Sequence, residues 1–303
     1  MRVERRVPAP EMGRSDQSAW TARASSQSKL RSLSAVARLV AGALVLLGLV
    51  AIMSIQAWSA PAFEHLVVFG DSLSDTGNAG RFSNGPVWVE YLADRLGLQL
   101  SPSQRGGSNF AVGGARLDPR SGPHSLRAQV DAFLRMPEPS GRMLVIVYGG
   151  GNDLLAAVGH PDGPTMVDAA VSALQGMVAD LIAHEATDIL VPNLPDVGIT
   201  PEVQAQGSRA VAEGRTLASR FNTALEGALA EAVANSGVRL YRLDVWSMAE
   251  RARGDPAAFG FVEIAKPCNT SGRCEGYLFW DHVHPTTQAH QRLADAALQA
   301  ASP

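Results

Sequence analysis

Past its first sixty residues the chain alternates between two hydrophobic periods. Short apolar, β-branched runs at His65–Phe69, Met143–Tyr148, Asp188–Pro192 and Val238–Val245 predict buried strands, with a weaker candidate at Ser108–Ala111. Longer stretches with apolar positions three and four apart predict helices at Val87–Leu96, Leu126–Leu134, Val167–His184, Ser208–Asn235 and Thr286–Ala300. Strand and helix alternate without internal repeat, which predicts an α/β domain built on a parallel sheet covered on both faces. In such sheets ligands gather at the carboxyl ends of the strands. The segments that follow the strands are therefore where chemistry is to be sought.

The start of the chain has a different pattern. Residues 1–33 are polar, rich in Arg and Ser and without hydrophobic period, the composition of a disordered segment. Leu39 to Ile55 then runs without a charge and leads into Ala57-Trp58-Ser59-Ala60-Pro61-Ala62, small residues of the kind that precede a signal-peptidase cut. A cleaved export signal is the expected reading. An uncleaved anchor is the alternative, since the apolar run is at the lower length limit for spanning a bilayer. Either way residues 62–303 form the folded body, expected to be secreted or periplasmic, or anchored with the body outside the cytoplasm.

Charge follows the same division. The 303-residue chain has a net charge of −3, but residues 1–38 carry a surplus of five positive charges, leaving −8 on the rest. An acidic body argues against nucleic acid as a partner. The only two cysteines, Cys268 and Cys274, enclose a short Gly-containing segment. In an oxidising compartment that spacing predicts a small-loop disulfide, and no further ligands lie near enough for a metal site.

After the first strand comes Gly70-Asp71-Ser72-Leu73-Ser74-Asp75-Thr76-Gly77-Asn78. The simple reading of Asp71-Ser72 is a helix cap. The chemical reading is a serine delivered to the sheet edge, which needs a base and an acid elsewhere to become a nucleophile. The other edges carry Ser108-Asn109-Phe110-Ala111-Val112-Gly113-Gly114-Ala115, Gly149-Gly150-Gly151-Asn152-Asp153 and Asn193-Leu194-Pro195-Asp196-Val197-Gly198-Ile199-Thr200-Pro201. Trp280-Asp281-His282-Val283-His284-Pro285 precedes the last helix. No phosphate-cradling glycine loop, no metal-binding HExxH and no GxSxG elbow occurs around these positions.

From about residue 64 to the C-terminus these segments, in this order, resemble the GDSL family of serine esterases and lipases, also called SGNH hydrolases. The GDSLSDTGN form, Asn84 to Leu92 and NLPDVGITP are similar to its secreted lipase, phospholipase and acyltransferase branch. The resemblance implies a flavodoxin-like three-layer α/β/α sandwich and acyl transfer without any cofactor. It implies Ser72 as nucleophile, His284 as base and Asp281 as the acid that orients it. The oxyanion hole would comprise the Ser72 amide, a glycine amide and the Asn152 side chain. The glycine is assigned to Gly113, with Gly114 close behind. Asp75, Asn78 and Asp153 are expected to support the loops, and Pro285 to begin the last helix. His282 is a decoy, and His65, His124, His160, His184 and His290 have no comparable context. Expected substrates are carboxylic esters, with lipid or phospholipid acyl esters, including those at a membrane surface, ahead of short-chain or sugar acetyl esters. Acyl transfer to another alcohol and a non-catalytic lipid-binding role are the alternatives.

Overall fold

Four strands set the frame: β1 (His65–Gly70), β2 (Met143–Tyr148), β3 (Asp188–Pro192) and β4 (Arg239–Leu243), all parallel and in that spatial order. The computed structural model describes residues 63–137, 140–269 and 272–301, so the expectations for the leader lie outside the described residues. β1, β2 and β3 are buried along almost their whole length, as strands covered by helices on both faces must be. β4, reading RLYRL, is the half-exposed edge.

The weaker strand candidate proves to be two isolated parallel bridges at Asn109, one to Val68 and one to Pro102. Asn109 pairs with Val68, with the Phe110 amide donating to the Val68 carbonyl at 2.8 Å and the Val68 amide to the Ser108 carbonyl at 3.1 Å. This segment lies outside β1, so the chain first turns outward from β1 and later returns to β2 on its other side. The β1/β2 boundary is thus the topological switch point, where open α/β sheets bind their ligands. Gly70 is the register partner of Tyr148, so the loops carrying Ser72 and Asn152 leave the sheet side by side.

The helices form two groups. α1 (Trp88–Leu96) packs with α8 (Thr287–Ala301), while on the opposite face α4 (Gly163–Ala183) packs with both α2 (Leu126–Phe133) and α6 (Ser208–Val233). That is the α/β/α sandwich. α4 starts earlier than its periodicity suggests because Pro164 suits the first turn of a helix. Short elements cluster at the carboxyl edge: α3 (Gly151–Ala157), α5 (Pro201–Gln204), α7 (Val245–Gly254) and the small parallel pair β5 (Glu263–Pro267) and β6 (Tyr277–Phe279). The fourth strand stops at Leu243 because Asp244 turns to cap α7, accepting the Ser247 amide at 3.0 Å. Cys268 and Cys274 form the expected disulfide between β5 and β6.

Candidate active site

Gly70 ends β1 where no larger residue would fit. A Cβ there would stand 2.8 Å from the Tyr148 carbonyl oxygen. The Gln129 side chain clamps this residue from α2, accepting from its amide at 2.9 Å and donating to its carbonyl at 2.8 Å. The chain then turns through Asp71 and Ser72, with the Leu73 amide donating to Asp71 Oδ1 at 3.0 Å. Ser72 is 5% exposed, and its amide makes no hydrogen bond among the described residues. Trp88 fixes the far side of the turn by donating its indole N–H to Ser74 Oγ at 3.0 Å.

His284 reaches this turn from 212 residues away. Its Nε2 lies 2.8 Å from Ser72 Oγ and its Nδ1 lies 2.8 Å from Asp281 Oδ2. The other Asp281 oxygen accepts the backbone amides of His284 at 2.7 Å and Val283 at 2.9 Å. Burial pushes the Asp281 carboxyl up, but the hydrogen bonds from the His284 ring and these two amides outweigh it and hold it below the usual carboxylate range. The three-residue spacing thus folds into one tight loop. His282 points elsewhere: it is exposed, and its carbonyl accepts the Glu202 amide at 3.0 Å.

Two expectations require correction. Pro285 is not the first residue of the last helix, which starts at Thr287; it forms an antiparallel bridge with Phe279 that closes the loop carrying Asp281 and His284. Gly113 does not present a free amide, because its N–H donates to Asp75 Oδ2 at 2.9 Å. Asp75 is fully buried and also accepts the amides of Gly77, Asn78 and Ala79 at 2.7–2.9 Å. The Gly114 amide, at a φ of +77° that suits glycine, makes no hydrogen bond among the described residues.

Asn152 sits in the first turn of α3, on a segment that reads as a loop in the sequence. One Nδ2 hydrogen is anchored on the Ala115 carbonyl at 3.0 Å, and an amide nitrogen has a second to give. Asp153 braces the neighbouring loop by accepting the amides of Leu117 at 2.9 Å and Asp118 at 3.2 Å. The Asn78 side chain donates to the carbonyls of Asn109 and Ala111, both at 2.8 Å. Both act as the supports expected of them.

Other features had no clear sequence signal. The His284 ring lies between Phe82, with centroids 5.3 Å apart, and Trp280 at 6.5 Å. Phe82 also fills the space against Gly113, where a Cβ would come within 2.3 Å of its ring. The disulfide strand holds Trp280 in place, the amides of Cys268 and Asn269 donating to the carbonyls of Phe279 and Trp280. Leu73 and Val283, the chain neighbours of Ser72 and His284, line a cavity of about 150 Å³ whose wall is almost wholly apolar, with Val197, Val245, Met248 and Phe261 among its other residues. Such packing is visible only after distant segments meet.

The arrangement has the geometry for nucleophilic attack by a serine. Residues 66–297 match the family described as GDSL-like Lipase/Acylhydrolase. A phosphatidylcholine-sterol acyltransferase of Aeromonas hydrophila is 31% identical to this chain over 324 aligned residues, covering 83% of this chain and 94% of that protein. Lipase 1 of Photorhabdus luminescens is 35% identical over 163 residues, covering 50% of this chain and 25% of that protein. Among solved structures, an acetylxylan esterase of Geobacillus stearothermophilus aligns with a TM-score of 0.49 and 17% identity over 79% of this chain and 94% of that one. With the family match extending from β1 to the last helix, the chain belongs to the GDSL-like lipase/acylhydrolase family and is a carboxylic ester hydrolase.

Proposed function

We propose that this chain is an exported serine esterase that cleaves lipid acyl esters through an acyl-enzyme on Ser72. The observation that carries the reading is the continuous hydrogen-bond chain from Asp281 through His284 to Ser72, opening beside an apolar cavity. His284 Nε2 takes the Ser72 proton as Oγ bonds to the ester carbonyl carbon. The oxyanion then formed meets the amides of Ser72 and Gly114 and the second Nδ2 hydrogen of Asn152. Collapse breaks the bond to the alcohol oxygen, which leaves with the proton from His284. Water, deprotonated in turn by His284, attacks the acyl carbon, and Ser72 Oγ recovers its proton as the acid departs. Asp281 holds the ring in the tautomer this cycle requires and balances the imidazolium.

The apolar cavity favours an aliphatic chain over a sugar acetate, and so favours lipids, including those at a membrane surface, over nucleic acid or other polar polymers. The disulfide suits an oxidising compartment, in keeping with export by the segment at residues 39–55. The relative named as a sterol acyltransferase motivates the other fate of the acyl-enzyme, attack by an alcohol instead of water.

The test compares the protein with its Ser72→Ala variant on esters of one alcohol with acyl chains from acetyl to palmitoyl, and then on phosphatidylcholine vesicles. Turnover should fall on the order of 10⁴-fold or more in the variant. Activity should peak beyond acetyl, with fatty acid released from the vesicles. Full activity in Ser72→Ala would overturn the mechanism, and a maximum at acetyl would overturn the lipid assignment. Adding a sterol to the vesicles reads the partition between water and alcohol.

A further inference from the structure

The apolar wall beside Ser72 contains one side chain that apolar packing does not explain. His290, on the first turn of α8, is fully buried and lines the cavity, and neither of its ring nitrogens has a hydrogen-bond partner. Burial first, and then the nearby charges of His284 and Arg81, push it down to about 3. The ring is therefore neutral at any working pH, with one nitrogen donating and the other accepting. Tyr148 lines the same cavity from the end of β2, and its hydroxyl also makes no hydrogen bond among the described residues.

The other polar groups of the wall are engaged. Asp196 accepts the Gly198 amide at 2.8 Å and pairs with Arg215 at 2.8 Å. The Thr200 hydroxyl donates to the Val197 carbonyl at 2.8 Å, and Arg292 Nε donates to the Phe259 carbonyl at 3.4 Å. Arg292 is exposed to water, so His290 and Tyr148 hold the unused hydrogen-bonding capacity of the buried wall. A leucine would fill the histidine's position without leaving polar atoms unpaired, so a wall meant only for hydrocarbon gains nothing from the imidazole.

We propose that the cavity receives an aliphatic chain bearing a hydroxyl or oxo oxygen, and that this oxygen hydrogen-bonds His290, with Tyr148 as the second partner. A cavity of about 150 Å³ is the size that holds a benzene-sized ligand, so the chain segment inside it is about six carbons long. The proposal rests on the serine-esterase reading above and specifies the substrate class of that site: esters of oxygenated, medium-length chains. A buried polar group of this kind discriminates chiefly by rejecting the analogue that leaves it unpaired.

The chain could belong to either half of the ester, so the test has two arms. In the first, 4-nitrophenyl hexanoate is compared with esters in which one oxo or hydroxyl oxygen moves from carbon 3 to carbon 6 of the acyl chain. In the second, hexyl acetate is compared with acetates of alcohols oxygenated at the same positions. At least one oxygenated ester in one arm should exceed its plain parent about tenfold or more in kcat/KM, the effect of one satisfied buried hydrogen bond. His290→Leu should bring that ratio to within about twofold of unity, and His290→Gln, which keeps a donor and an acceptor, should retain part of it. The ratio is taken within one preparation, so loss of folded protein does not alter it, and titration of Ser72 with a phosphonate counts the sites present. A flat series in both arms, or a preference that survives His290→Leu, overturns the inference. Turnover that persists in Ser72→Ala would instead overturn the serine mechanism beneath it.

Discussion

Two aspartates mark opposite ends of the sheet, and both are buried. Asp188 opens β3 at the amino edge and is 0% exposed; Asp71 follows β1 at the carboxyl edge and is 3% exposed. Asp188 has bidentate bonds from Arg142 and from Arg239, and accepts the hydroxyls of Tyr241 at 2.8 Å and Thr187 at 2.9 Å. Burial pushes its carboxyl up, and these partners overcome that and hold it well below the usual range. Asp71 accepts the Leu73 amide, and no arginine or lysine pairs with it among the described residues. Burial pushes it up to about 6, against the pull of that amide and of His284. The amino edge uses a buried charge to tie β3 to β4 and to the start of β2. The carboxyl edge holds an acid that its surroundings do not satisfy, as sites shaped for chemistry commonly do.

The largest test of this contrast is at the carboxyl edge. Asn152→Ala should lower kcat by about 10²–10³, the effect of removing one oxyanion donor. Stability should change little, since the variant loses one partly buried bond to Ala115, worth about 1 kcal/mol and a few degrees of melting temperature. A kcat within tenfold of the parent would remove Asn152 from the oxyanion hole. A melting temperature lowered by ten degrees or more would make this edge as structural as the other.

Both edges were unequally legible in the sequence, for physical reasons. β1, β2 and β3 stand within a residue of where their apolar runs place them, because a strand buried on both faces has no polar position to blur its ends. α3 was hidden behind Gly149-Gly150-Gly151, which reads as a loop until Gly150, at φ +109°, is seen to start a helix. β5 and β6 are short, half-exposed and held partly by the disulfide, so periodicity gives them little. Ser72, His284 and Asp281 were readable through the resemblance of their segments, in order, to the GDSL family. Gly113 and Gly114 were not separable there, because only the fold brings the Asp75 carboxylate to one amide of the two. His290 has no motif around it, and its isolation becomes visible only once α8 packs beside the cavity.

At the amino edge the expected loss is in stability. Asp188→Ala removes the shared acceptor of two arginines, whose side chains are 32% and 58% exposed and so can turn partly to water. The loss should therefore be about 2–3 kcal/mol, below the 3–5 kcal/mol of a fully buried broken pair. Urea unfolding near pH 7 measures it, and kcat per titrated Ser72 should stay within twofold. Because Asp188 lies below its unfolded value when folded, its contribution is present above about pH 4 and is lost as acid protonates the folded carboxyl. The difference between parent and variant should accordingly be flat from pH 5 to 8 and shrink only in stronger acid. A difference that fades on approaching neutrality would contradict the assignment.

Asp71 predicts the opposite sign and the smallest effect. Its folded value is about 6 against 3.8 for the ordinary carboxyl, so the native state holds a proton that the unfolded chain has released. The resulting destabilisation is absent below about pH 4, grows between pH 4 and 6 and is complete above, reaching about 3 kcal/mol at 1.36 kcal/mol per pH unit. Asp71→Asn removes that ionisation while keeping an oxygen for the Leu73 amide, though the new NH₂ must be buried at a cost of about 1 kcal/mol. The variant should therefore be more stable than the parent by about 2 kcal/mol at pH 7, and no more stable than it at pH 4. Turnover is expected to fall, because the acid lies one residue from Ser72 and its charge acts favourably on His284. Urea midpoints at the two pH values, read beside kcat, decide the matter. A variant that is less stable at pH 7 would mean that Asp71, like Asp188, is held as a satisfied structural charge, and the contrast between the two edges would fall with it.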